Sequence, residues 1–170
     1  AYSVNEEGRS RIFVREGKQT SELELPHGSV VNTMRRFGSH SLALSLSSAT
    51  RPSDVYVADL DAQSLRRWTG GKSVPGVASF VHPRLVHVRA VDGESLSGYL
   101  YEPESAEPSP VLMWIHGGPE EQFRPEFQPV VQYFVSRGIA VLAPNIRGST
   151  GYGRRFRGLD NGVLRGDAIE

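Results

Sequence analysis

The first 70 residues of the chain repeat themselves at a spacing of about 43, and this self-similarity constrains the fold more than any other feature of the sequence. Near the start the offset is about 42 and sets Ala1, Ser3 and Val4 on Ala43, Ser45 and Leu46. Past a one-residue insertion, Ser10, Ile12, Phe13 and Val14 fall on Ser53, Val55, Tyr56 and Val57, while Ser21 and Leu25 fall on Ser64 and Trp68. Each copy reads as short strands between polar turns, with apolar and polar residues alternating from Leu42 to Ser47 and an aromatic-rich strand at Asp54 to Val57. A period of roughly 40 to 45 residues with several strands per repeat fits a blade of a β-propeller, the alternative being a plain antiparallel meander. Closed propellers use roughly 4 to 8 blades, so one blade and part of another imply that the rest of the array is missing.

Gly70-Gly71-Lys72-Ser73-Val74-Pro75-Gly76 breaks the pattern and reads as a linker, which places a boundary near residues 70 to 82. Its Gly-Lys-Ser is no phosphate loop: the leading glycine would sit at Arg66, and Pro75 blocks the helix that should follow. Beyond it, Leu85 to Val91 and Leu96 to Tyr101 alternate like an antiparallel pair joined by Asp92-Gly93, a hairpin-turn signal. Three prolines between Glu102 and Pro110 end the hairpin. Two apolar runs, Val111 to Ile115 and Ile139 to Ala143, read as buried strands. Between them, Glu126 to Arg137 carries Phe127, Val130, Val131, Phe134 and Val135 on one helical face and is closed by Gly138. Strand, helix and strand predict a parallel β-α-β unit in a covered sheet, so the second half is α/β.

His116-Gly117-Gly118-Pro119 follows the first of these strands directly, at the edge where open α/β sheets place ligands. Paired glycines allow a backbone whose amides face an anion, and backbone donors suit an oxyanion hole because they are rigid and already aimed. A tight turn capping the strand is the plain alternative. Asn145-Ile146-Arg147-Gly148-Ser149-Thr150-Gly151-Tyr152-Gly153 follows the second strand at the same edge, where its Arg and Tyr could face a substrate or Arg147 could satisfy buried carbonyls.

The two motifs together, in this order and about thirty residues apart, resemble the prolyl oligopeptidase family of serine peptidases, especially its acylaminoacyl-peptidase-like branch. The resemblance is close from Leu112 to about Asp160 and general over the propeller-like first 70 residues. It implies a β-propeller that caps an α/β-hydrolase domain, with peptides reaching a Ser-His-Asp triad between the two. Residues 1–75 would then be a propeller blade region and 76–170 a partial hydrolase domain. The resemblance further implies that Gly118 supplies an oxyanion-hole amide, that His116 and Gly117 shape its loop, and that Arg147 and Tyr152 belong to a substrate-side loop. The nucleophile elbow Gly-x-Ser-x-Gly occurs nowhere: Ser10, Ser73 and Ser95 each have the leading glycine two positions before but are followed two positions later by Ile12, Pro75 and Ser97. The triad is therefore absent from these residues, and the expectation is an inactive piece of a peptidase whose parent acts on short or N-acylated peptides through an acyl-enzyme.

Partners and location follow from composition. Nineteen basic against nineteen acidic residues leave no net charge and no general electrostatic case for nucleic acid or an anionic membrane. No apolar run approaches the roughly 20 residues of a membrane helix, and the start, Ala1-Tyr2-Ser3-Val4, lacks the pattern of a targeting segment. Without cysteine there is no disulfide framework and no thiolate metal site; this does not fix the compartment, and the cytoplasm is the expectation. His27, His40, His82 and His87 lack metal-ligand spacing, so no metal or cofactor is expected. The expected partners are a peptide substrate for the parent enzyme and the remainder of the hydrolase domain and propeller, with homo-oligomers left open. A rival reading makes the chain a non-catalytic binding or assembly module, or one chain of a two-chain complex. The C-terminal Arg165 to Glu170 reads as a helix cut after one turn, which again suggests a fragment.

Overall fold

A computed structural model describes residues 1–70, 79–104, 108–118 and 120–168. Most of the expected linker, at 71–76, lies outside the described residues, as does Pro119. The chain divides into two compact units, Ala1–Phe80 with Pro125–Phe127, and Val81–Arg124 with Gln128–Glu170.

In the first unit, β1 (Tyr2–Glu6), β2 (Arg9–Glu16) and β3 (Gln19–Leu23) form an antiparallel meander. A second meander follows with β4 (Val30–Arg36), β5 (Ser41–Ser48), β6 (Arg51–Asp59) and β7 (Ser64–Arg67). The sequence repeat therefore sets β1 on β5, β2 on β6 and β3 on β7. Its one-residue register is off, however. The offset of 43 pairs Ile12 with Val55, yet Ile12 is fully buried and Val55 is 39% exposed. Side chains alternate faces along a strand, so the core-facing partner of Ile12 is Tyr56, one position on. Ile12, Leu23, Leu42, Leu44, Leu46, Tyr56 and Ala58 make one core.

The second unit is built on a four-stranded sheet. β8 (Arg84–Arg89) pairs antiparallel with β9 (Ser95–Tyr101), through the hairpin that Asp92-Gly93 signalled. β9 pairs antiparallel with β11 (Ala140–Asn145), and β10 (Val111–Met113) pairs parallel with β11, giving the order β10-β11-β9-β8. The parallel pair is connected through α1 (Pro129–Ser136), which starts three residues later than the periodicity suggests. Gln128 is extended because the ring of Pro129 disfavours a helical residue before it, and Pro129 itself takes the first helical position. Val131 and Val135 face inward, whereas Val130 is 48% exposed and Phe127 belongs to the first unit.

Tyr99, Tyr101, Phe123, Val131, Val135, Val141, Ala143 and Phe156 are buried in this unit. Burial pushes the Tyr101 phenol up from its ordinary range. β11 is buried as expected, but β10 is not. Val111 and Met113, with Ile115 just beyond, are each more than half exposed, because β10 stands at the end of the sheet and that face is uncovered among the described residues. The chain then runs through α2 (Gly153–Arg157) and two 3-10 segments, Gly158–Asp160 and Gly162–Ala168. No described helix is long and apolar enough to cross a membrane.

Candidate functional site

Because β10 and β11 run parallel, the loops after both emerge at the same edge of the sheet. Each carries one of the glycine-rich motifs, and hydrogen bonds knit the two into a single cluster. Asn145, fully buried at the end of β11, accepts from the Phe123 amide at 2.7 Å through Oδ1 and donates to the Phe123 carbonyl at 3.2 Å through Nδ2. The same Nδ2 donates to the Tyr152 hydroxyl at 2.8 Å, which also accepts from Ser97 at 2.6 Å. The Thr150 amide donates to the Glu121 carbonyl at 2.9 Å.

His116 joins the loops most directly. Its Nδ1 lies 2.7 Å from the Gly117 carbonyl oxygen, and its Nε2 lies 2.9 Å from Ser149 Oγ. Ser149 is fully buried, and its hydroxyl is also 2.6 Å from the Ile146 carbonyl. Gly117 and Gly118 are exposed beside this pair. Gly118 has φ of 138°, and a Cβ there would stand 2.8 and 2.9 Å from the backbone nitrogens of Glu120 and Glu121, so only glycine fits.

Arg147 is turned inward and does not present its guanidinium to solvent. Only 7% of its side chain is exposed, and its two terminal nitrogens donate to the two carboxylate oxygens of Asp92 at 2.7 and 2.6 Å. Two residues on, Glu94 accepts from both terminal nitrogens of Arg155 at 2.9 and 2.6 Å. The β8–β9 turn thus grips the second motif loop and the helix α2 that follows it by one bidentate pair each, an arrangement that guanidinium geometry favours. The bonds from Arg147 and from the Glu94 amide lower the Asp92 carboxyl to about 2, and Arg155 lowers Glu94 likewise.

The structure brings His116, Gly117, Gly118, Arg147 and Tyr152 into one cluster. It engages Arg147 with Asp92, and Tyr152 with Asn145 and Ser97, so both side chains are spent on holding the loop. Sequence reasoning missed Asn145, Ser149, Asp92 and Glu94. A polar residue closing an apolar strand was a usable signal for Asn145; nothing in the local pattern joins Asp92 to Arg147, 55 positions away. Among the described residues no group of three or more His, Asp and Glu side chains is placed to hold a metal ion.

Residues 125–163, which hold α1, β11 and the second motif loop, match the prolyl oligopeptidase family. The whole unit has counterparts as well. The chain is 28% identical over 148 residues to dipeptidyl aminopeptidase BIII of Pseudoxanthomonas mexicana, covering 82% of this chain and 22% of that protein. It superposes on the acylaminoacyl peptidase of Pyrococcus horikoshii with a TM-score of 0.75 and 25% identity, over 98% of this chain and 27% of that one. The chain is thus similar to members of the prolyl oligopeptidase family over most of its length, and residues 125–163 match that family itself. A puromycin-hydrolyzing peptidase of Mycobacterium tuberculosis matches with a TM-score of 0.79 and 26% identity, over 96% of this chain and 27% of that one. The chain thus spans about a quarter of the length of these family members.

Proposed function

We propose that these residues form the propeller-to-hydrolase junction of a serine peptidase, with 1–75 as a propeller blade region and 76–170 as the opening part of an α/β-hydrolase domain. The reaction is acyl transfer. A serine hydroxyl attacks the carbonyl carbon of a short or N-acylated peptide, the amine leaves with a proton, and water then releases the acyl group and restores the serine. The contribution of this chain is the Gly118 amide, which donates to the oxygen that becomes negative in the tetrahedral intermediate. Gly117 and His116 shape the loop that presents it. The serine and its partners come from polypeptide outside this sequence, since no Gly-x-Ser-x-Gly occurs in it.

One observation carries the reading: an exposed Gly-Gly just after a parallel strand, with Gly118 in a conformation only glycine adopts, in a loop whose His116 is hydrogen-bonded to a second loop at the same edge. Backbone donors of this kind are worth about 100- to 1,000-fold in rate. The family relatives that carry peptidase names support the substrate class.

The test uses the full-length protein that contains this sequence and, beside it, the 170-residue chain. The full-length protein should be labelled by a fluorophosphonate and should cleave N-acetylated and free short peptide anilides, and the 170-residue chain should do neither. Labelling of the 170-residue chain, or no cleavage of either substrate class by the labelled full-length protein, overturns the proposal. A role in assembly is the second reading, supported by the open face of β10, where Val111, Met113 and Ile115 stand exposed.

A further inference from the structure

We propose that Asn161-Gly162 is a site of spontaneous covalent modification in the folded protein, where the Gly162 amide displaces ammonia from the Asn161 side chain and water then leaves aspartate or isoaspartate at 161. The chemistry needs water and this pair alone, and it holds whether or not the chain serves a peptidase.

Ring closure asks three things of an asparagine: a carboxamide that no hydrogen bond restrains, a following amide free to attack, and a following side chain too small to crowd the ring. The chain has four asparagines. Asn145 is buried, and its carboxamide bonds to both the amide and the carbonyl of Phe123 and to Tyr152. Asn32 accepts from Ser47 at 3.1 Å and donates to Glu126 at 2.9 Å. Asn5 accepts from the Gly8 amide at 2.8 Å. Asn161 differs from all three, being exposed with a carboxamide that makes no hydrogen bond among the described residues. It alone precedes a glycine, whereas Glu6, Thr33 and Ile146 follow the others. A Cβ at Gly162 would meet nothing within 4 Å, so the approach is open as well as uncrowded.

Asn161 lies between the two 3-10 segments with ψ of 135°, which turns the Gly162 nitrogen away from Cγ. The ring therefore closes only after a rotation about ψ, and little opposes that rotation. The Asn161 amide reaches the Gly158 carbonyl at a long 3.4 Å, and the Asn161 carbonyl accepts from Leu164 at 3.2 Å. Residues 161–166 are all exposed, Val163 at 96%, so a local opening here breaks few contacts. Gly162 begins its segment, and a first helical amide has no partner within its own turn. After the turn, the deprotonated Gly162 nitrogen bonds to Cγ, the Cγ–Nδ2 bond breaks, and ammonia leaves with a proton from solvent. Water opens the resulting five-membered imide. Attack at Cγ restores the ordinary backbone and leaves an aspartate side chain; attack at the main-chain carbonyl reroutes the backbone through Cβ as isoaspartate.

Asp92-Gly93 carries the same glycine, and the structure protects it. Its two carboxylate oxygens accept from Arg147, and Oδ1 accepts also from the Glu94 amide at 3.0 Å. These bonds hold the group in its ionised form, which gives up an oxygen to an attacking amide least readily.

The experiment incubates the full-length protein at about pH 8, folded and in guanidinium chloride, and maps its peptides by mass over time. The peptide spanning 161–162 should gain about 1 Da, ammonia out and water in, and split into two isomers. Folded, it should react at least about tenfold faster than the peptides holding Asn5, Asn32 or Asn145, and within about tenfold of its own rate in guanidinium. Asn161→Gln, which could close only a larger ring, should abolish the gain. Isoaspartate at Asp92 should form in guanidinium and not in the folded protein. A folded rate at Asn161 more than about tenfold below the unfolded one shows that the fold holds this residue against reaction and overturns the proposal. So does a rate no faster than that of the other three asparagines, or a mass gain that persists in Asn161→Gln. Isoaspartate appearing at Asp92 equally fast in both conditions overturns the protection assigned to Arg147.

Discussion

At the scale of single residues, the site depends on atoms that are missing as much as on those present. Gly148 has φ of 83°, and a Cβ there would lie 2.2 Å from the Asp160 Cγ, whose side chain is buried at 2% exposure. Asp160 is buried, and the Gly148 amide is itself tied to the Phe156 carbonyl at 3.2 Å, so neither side of the contact moves freely. Gly148→Ala therefore combines a strained conformation with a clash, and a loss of about 3 kcal/mol is expected in urea unfolding of the full-length protein. A loss under about 1 kcal/mol would mean that Asp160 has room to swing out. The sequence places Gly148 in a glycine-rich motif but not against Asp160, because nothing in the local pattern joins two polar-loop positions twelve residues apart. Likewise His116 and Gly118 stood out through their motif, whereas Ser149 resembled any loop serine until its burial and its bond to His116 were known.

Between elements, the β8–β9 turn holds the loop after β11 through carboxylates, and this makes the contact pH-dependent in a definite direction. Asp92 is held at about 2 by hydrogen bonds from Arg147, below the ordinary carboxylate value of about 3.9. A carboxyl with a lowered folded value binds its proton later in the folded state than in the unfolded one. Its stabilisation is accordingly whole above about pH 4 and is lost as the pH falls towards 2. Glu94, lowered by Arg155, acts in the same sense. In thermal unfolding of the full-length protein, the gap in Tm between the unaltered chain and Asp92→Asn should be constant from about pH 5 to 8 and should close between about pH 4 and 2. A gap that persisted unchanged at pH 2 would contradict the ionic origin. Element-level reading of the sequence went furthest where periodicity and turn chemistry agreed, as in the hairpin of β8 and β9. It slipped where homologous letters competed with pleat. Matching Ile12 to Val55 aligns two β-branched residues, yet burial sets Ile12 with Tyr56, and only the packed core reveals that the aromatic ring fills the aliphatic position.

For the molecule as a whole, an apolar run of five residues cannot say whether both faces of a strand are covered. Val111 to Ile115 reads the same in either case, and in the structure Val111 and Met113 on one face of β10, with Ile115 just beyond it, are 63%, 58% and 59% exposed. β10 also pairs on one side only among the described residues, so a hydrogen-bonding edge and an apolar face coincide. Proteins blunt such edges with charge or cover, and no charged residue lies between Val111 and Ile115. With a net charge of zero there is also little long-range repulsion to keep copies apart. The 170-residue chain, produced alone, is therefore expected to self-associate at micromolar concentration in sedimentation velocity. Met113→Lys should shift it towards monomer by placing a charge in the middle of the exposed face, at a position where the native side chain buries little. If the unaltered chain instead sediments as a single 18.7 kDa species at tens of micromolar, the β10 face is not a sticky surface, and the assembly reading of this chain loses its physical basis.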